Sequence, residues 1–71
     1  MIYHDGIHIV ADSLAELHEF AEKMGIKRCW FHGVKKGHPH YDAPNFAKVA
    51  VRSNSQFVTS RQILKLSKSM K

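Results

Sequence analysis

The chain has little of several things, and each shortage closes off a class of protein. It carries a single cysteine, Cys29, so no intrachain disulfide can form, and the expectation is a reducing compartment, the cytoplasm. Cys29 itself reads as a small apolar core residue beside Trp30. No apolar run approaches the ~20 residues that span a bilayer, and Met1-Ile2-Tyr3-His4-Asp5 has neither the charged nor the apolar region of a signal peptide. No membrane role is expected. Acidic residues are few, 6 against 11 Lys and Arg, which leaves a net charge of +5 with histidines neutral. That balance favours phosphate-bearing or acidic partners through long-range steering. Also missing are a His-Glu-x-x-His pair, a cysteine pair and a P-loop, so no fixed metal or nucleotide motif is present.

What is there is a single small domain of 71 residues, able to bury only roughly 60% of its unfolded surface. A metal, a partner or a second copy of the chain is how such a domain gains stability. Around Asp5-Gly6, Ile2 to Val10 alternates apolar and polar, a hairpin signal. A tight hairpin sets Tyr3 opposite His8 with Asp5 at the tip; the alternative is one strand followed by an extended connection. Ser13 and Glu16 form a capping box for a first helix, which Gly25 stops. Leu14, Leu17, Phe20, Ala21 and Met24 make its apolar face, with His18 at the edge.

Arg28-Cys29-Trp30-Phe31 reads as a central strand. Asp42 or Ala43 caps a second helix with Pro44 in its first turn, Phe46, Val49, Ala50 and Val51 facing inward, and Lys48 and Arg52 facing water. Gln56-Phe57-Val58 is a third strand, and Thr59 with Gln62 caps a last helix whose apolar side is Ile63, Leu66 and Met70. Leu64 fits neither side. The expected fold is a small two-layer α/β or α+β domain with a short three- to four-stranded sheet and three helices, ordered β(hairpin)-α-β-α-β-α. Right-handed crossovers would gather Asp5 or Asp12 and the loop after Phe31 at one sheet edge.

Several segments resemble one family: Ile-Tyr-His-Asp at 2 to 5, His-Ile-Val-Ala-Asp-Ser at 8 to 13, Glu-Leu-His at 16 to 18, Arg-Cys-Trp-Phe-His at 28 to 32, His-Tyr-Asp at 40 to 42 and Thr-Ser-Arg at 59 to 61. They resemble the small family catalogued as domain of unknown function 4031, found in bacteriophages and bacteria. The resemblance covers essentially the whole chain and implies a phage or prophage origin, with the bacterial host cytoplasm as location. It brings no mechanism. It departs between the first aspartate and the next histidine, where family members carry an insertion and this chain has only Gly6-Ile7.

The densest chemistry lies between Trp30 and Pro44, with three histidines, two lysines, two glycines and an aspartate, in a loop where a scaffold can present polar groups. His8, Asp12, His40 and Asp42, with Asp5, His18, His32 and His38 in reserve, supply nitrogen and oxygen ligands for zinc, manganese or ferrous iron. Such an ion activates water for phosphoester hydrolysis, with His40 and Asp42 at the chemistry and Tyr41 positioning substrate. The competing reading is structural: Asp12 and Asp42 cap helices, His40 bonds backbone and Tyr41 packs on the core.

Gly33-Val34-Lys35-Lys36-Gly37 offers a phosphate a flexible, basic backbone. Arg61, Lys65 and Lys68 with Lys71 form a basic stripe on the last helix, and Lys48 and Arg52 add to the positive surface. Three functions follow as expectations. The leading one is a small accessory protein that binds nucleic acid or a phosphate-bearing ligand through this basic surface and the 32 to 42 loop. The others are a metal-dependent phosphoesterase or nuclease, and a non-catalytic inhibitor of a host protein.

Overall fold

The computed structural model describes residues 1–70. Its first hairpin joins β1, Ile2–His4, to β2, His8–Ala11, with Tyr3 opposite Val10 and His4 opposite Ile9. The turn therefore centres on Gly6-Ile7 and not on Asp5-Gly6, which corrects the expected pairing of Tyr3 with His8. Gly6 takes the positive φ of 101° that a first central turn position favours. The Asp5 side chain closes the turn instead of sitting at its tip, accepting from the backbone N–H of Ile7 and of His8.

Helix α1, Leu14–Lys23, ends as its residues dictate, but only the Ser13 half of the expected capping box forms, because the Glu16 carboxylate takes the Met1 amine and not the Ser13 N–H. Ser13 accepts from the Glu16 N–H, and Gly25, at φ 75°, ends the helix with Gly25 N–H donating to Glu22 and Ile26 N–H to Ala21. Leu17 and Ala21 are buried.

The next segment departs from expectation. Arg28–Trp30 is a 3-10 turn with Cys29 exposed, and the strand is only β3, Phe31–His32, at a sheet edge. Three residues with no alternation of apolar and polar give a pleat nothing to bury. β4 is His40–Asp42, so Asp42 lies in a strand and caps no helix. A 3-10 turn, Asn45–Ala47, then leads into α2, Lys48–Ser53. This later start rotates the helix: Ala47 and Val51, four apart on one side, are buried, whereas Phe46, Val49 and Ala50 are exposed. β5, Gln56–Phe57, runs parallel to β1, and α3, Ser60–Ser69, opens with the Thr59–Gln62 capping box.

The sheet has five strands in the order β3-β4-β2-β1-β5, antiparallel except for β1 with β5. The α+β class is as expected; the strand count and the layering differ. Paired residues share a side, so Phe31, Tyr41, Ile9 and His4 face one way and His32, His40, Asp42, His8 and Val10 the other. α1 lies on the first face, where His18 meets Tyr41 and Phe31. Phe46, leading into α2, lies beside Gly25 at the end of α1. α3 crosses the second face, with Ser67 bonded to the Pro39 carbonyl and Met70 against Ala11. Helices thus cover both faces, making three layers where two were expected. Among the described residues no helix is long and apolar enough to cross a membrane.

Candidate functional site

Strand alternation assembles the site. His8 is the cross-strand partner of Asp42, and His32 of His40. His40 lies two residues before Asp42, on the same side of β4. One atom each of His8, His40 and Asp42 lies within 4.8 Å of the others. Asp42 Oδ1 is 3.5 Å from His40 Nε2 and 3.9 Å from His8 Nε2, and Asp42 Oδ2 is 3.6 Å from His32 Nε2. Metal–ligand bonds are about 2 Å, so a single ion shared by His8, His40 and Asp42 would need small side-chain adjustments.

Both imidazoles are oriented from behind. His8 Nδ1–H donates to Asp5 Oδ2 at 3.0 Å, and His40 Nδ1–H donates to the His38 carbonyl at 2.9 Å. With Nδ1 of each ring committed, Nε2 is the nitrogen that faces Asp42. Asp5 is itself held: its side chain is 4% exposed, and Oδ2 also accepts from the Ser60 hydroxyl at 2.9 Å. Burial pushes its carboxyl up, but hydrogen bonds from the His8 ring, two backbone N–H groups and Ser60 outweigh this and hold it well below the usual carboxylate range. Asp5 stays ionised throughout the neutral range.

The loop between β3 and β4 also serves this geometry. Gly33, at φ 84°, accepts from the N–H groups of Lys36 and His38, and a Cβ built on it would lie 2.3 Å from the His38 oxygen. That oxygen is the one orienting His40. Only glycine lets the loop close there.

Three of the four expected ligands, His8, His40 and Asp42, therefore come together. Asp12 does not. Because β2 runs antiparallel to β1, Asp12 lies at the far end of the sheet, accepting from the Tyr3 hydroxyl and the Met1 amine. Tyr41 is also misplaced for chemistry: alternation turns it to the opposite face, 1% exposed, with its hydroxyl on His18 Nδ1 at 2.7 Å. It packs on the core, on the face away from the cluster. Of the reserves, His32 borders the cluster and His38 stacks on His40, with centroids 5.8 Å apart; His18 is on the other face. Asp5 matters more than its position suggested. His40 and Asp42 were expected together as ligands; what the capping alternative missed is that His-x-Asp lies at strand period in β4.

The basic residues are dispersed. Arg61, Lys65 and Lys68 are exposed along α3, and Lys35 and Lys36 are exposed in the loop. Lys48 and Arg52 belong to α2 across the sheet, and Lys48 is half-buried. Lys71 lies outside the described residues. Among the described residues Lys35 and Lys36 adjoin the cluster, lining with His32, His38 and His40 a hollow of about 440 Å3.

The family described as protein of unknown function DUF4031 matches the chain over residues 4–70. No curated protein and no solved structure matches it. With that match spanning nearly its whole length, the chain belongs to the DUF4031 family.

Proposed function

We propose that this protein binds a divalent metal ion through His8, His40 and Asp42 and uses it to bind and hydrolyse a phosphate ester. One observation carries the reading: two imidazoles and a carboxylate converge while Asp5 and the His38 carbonyl hold the far nitrogens of both rings. Metal-ligating histidines almost always have such outer partners. Two nitrogens and an oxygen suit zinc or manganese and leave coordination positions for water and a substrate oxygen. When bound, the ion supplies Lewis acidity and a water whose pKa falls towards about 7 on zinc.

The chain's own groups do the rest. Lys35 and Lys36, beside His40, attract the phosphate. His32, half exposed and 3.6 Å from Asp42, stands at the rim as a proton carrier for the attacking water or the leaving oxygen. Nucleic acid is one source of such an ester, which retains the nucleic-acid expectation within the metal-centred one.

The test is a thermal melt after chelation, followed by zinc or manganese added singly. An ion that binds only the folded chain, at ~100 times its dissociation constant, stabilises by about 2.7 kcal/mol. A saturable rise, lost in His40→Ala with Asp42→Ala, together with ion-dependent hydrolysis of an activated phosphodiester, is the expected result. No rise with either ion overturns the reading.

A further inference from the structure

α3 carries a leucine that neither side of the helix accounts for. Leu64 is 45% exposed although Ile63 beside it is buried. With Ile63 it forms one wall of a groove of about 220 Å3 whose opposite wall is His8, His38 and His40. The hydroxyls at the two ends of this groove are already engaged, Ser60 with Asp5 and Ser67 with the Pro39 carbonyl. The Asp5 carboxylate is spent on His8, Ser60 and the turn. Apart from the imidazoles, the groove offers aliphatic surface and no free hydrogen-bonding side chain.

His38 and His40 line both this groove and the hollow that holds Lys35 and Lys36. The surface is thus ordered: aliphatic wall, ligand imidazoles, ammonium groups. Resting on the metal-centred reading above, we infer that the groove seats the ring of an aryl- or nucleobase-bearing phosphate ester whose phosphate sits at His8, His40 and Asp42. A flat ring suits a slot between imidazoles and branched aliphatic side chains, because stacking and apolar contact need no hydrogen-bond partner. A methyl phosphate would reach the ion and leave the groove empty. Leu64 is the residue that sets the preference.

The experiment uses the full chain, chelated and reloaded with manganese, with uptake of the ion followed in the same preparation. Phenyl phosphate and methyl phosphate are titrated against the wild type, Leu64→Asp and a Lys35→Ala, Lys36→Ala double variant. Phenyl phosphate is expected to bind at least tenfold tighter than methyl phosphate. Leu64→Asp, at an exposed position, abolishes that ratio, and the lysine variant weakens both phosphates together. Competition by a nucleoside monophosphate or by a single-stranded oligonucleotide then identifies a small or a polymeric source of the ring. Equal affinities in the wild type, or a ratio that survives Leu64→Asp, overturn the inference while the metal reading stands. Failure to take up manganese or zinc overturns both.

Discussion

Asp5 and His8 meet at 3.0 Å across the first hairpin, carboxylate oxygen against Nδ1, and this contact decides which nitrogen of His8 faces Asp42. Asp5→Asn keeps an oxygen for the backbone N–H groups of the turn but sets an amide donor against Nδ1. His8 then takes the other tautomer, with its proton on Nε2 and no lone pair for a metal. The expected loss of metal affinity is about 10–100-fold, and nitrogen NMR of the imidazoles reads the tautomer directly. Unchanged affinity would limit Asp5 to closing the hairpin.

Gly33 and Gly37 both have positive φ, at 84° and 77°, yet only Gly33 faces a close neighbour. Gly37→Ala therefore costs backbone strain alone, about 1–2 kcal/mol. Gly33→Ala adds the collision with the His38 carbonyl and displaces the acceptor that orients His40. Urea unfolding should rank Gly33→Ala as the more damaging, and only that variant should weaken metal binding. Equal losses in both would separate the loop from the site.

Stability should fall in mild acid. Burial holds the pKa of His4 below its ordinary 6.5, with help from the Arg52 charge, and burial also lowers that of His18, with help from Arg28. His4 is further kept neutral because Nδ1 accepts the Gly6 N–H. Between the unfolded and the lowered folded pKa the unfolded chain binds more protons, so stability present above about 6.5 is lost as pH falls through that interval. Melting temperature in chelator should decline from about pH 7 to 5. His4→Asn with His18→Asn, which keep an acceptor near Nδ1, should flatten the slope. An unaltered slope would assign the acid loss to other groups.

Thr59 caps α3 one residue before Ser60, whose hydroxyl holds Asp5. Thr59→Ala removes the side-chain acceptor of the Gln62 N–H while the Thr59 N–H bond to Gln62 Oε1 remains, and should cost about 0.5–2 kcal/mol by chemical denaturation. Ser13→Ala removes the corresponding bond, from the Glu16 N–H, and should cost a similar amount. Of the two, only Thr59→Ala should also lower metal affinity, because it loosens the turn that carries Ser60.

Local rules made parts of this protein legible in advance. Ser13, Gly25, Thr59 and Gln62 mark helix ends through bonds to their own near neighbours, and each acts as its chemistry requires. The buried side of α1 follows from apolar spacing, whereas that of α3 also takes in the polar Ser67. Reading failed where short segments carried several compatible signals. Asp42 sits just ahead of Pro44, which suits a helix start, but pairing with His8 holds it in a strand. Arg28–Trp30 is rich in strand-forming residues, yet it curls into a 3-10 turn at the end of α1 and leaves Cys29 exposed.

By itself the sequence determined the α+β class, the three helices, and a stock of imidazole and carboxylate in two short segments, because composition, period and capping act within a few residues. Only the tertiary structure decided which of those groups meet. The antiparallel register of β2, β3 and β4 sets His8 against Asp42 and His32 against His40, turns Tyr41 to the opposite face, and sends Asp12 to the far end of the sheet. Register is a property of strand pairs, fixed by which side must be buried, and one residue of slip reverses every side chain; no single segment contains it.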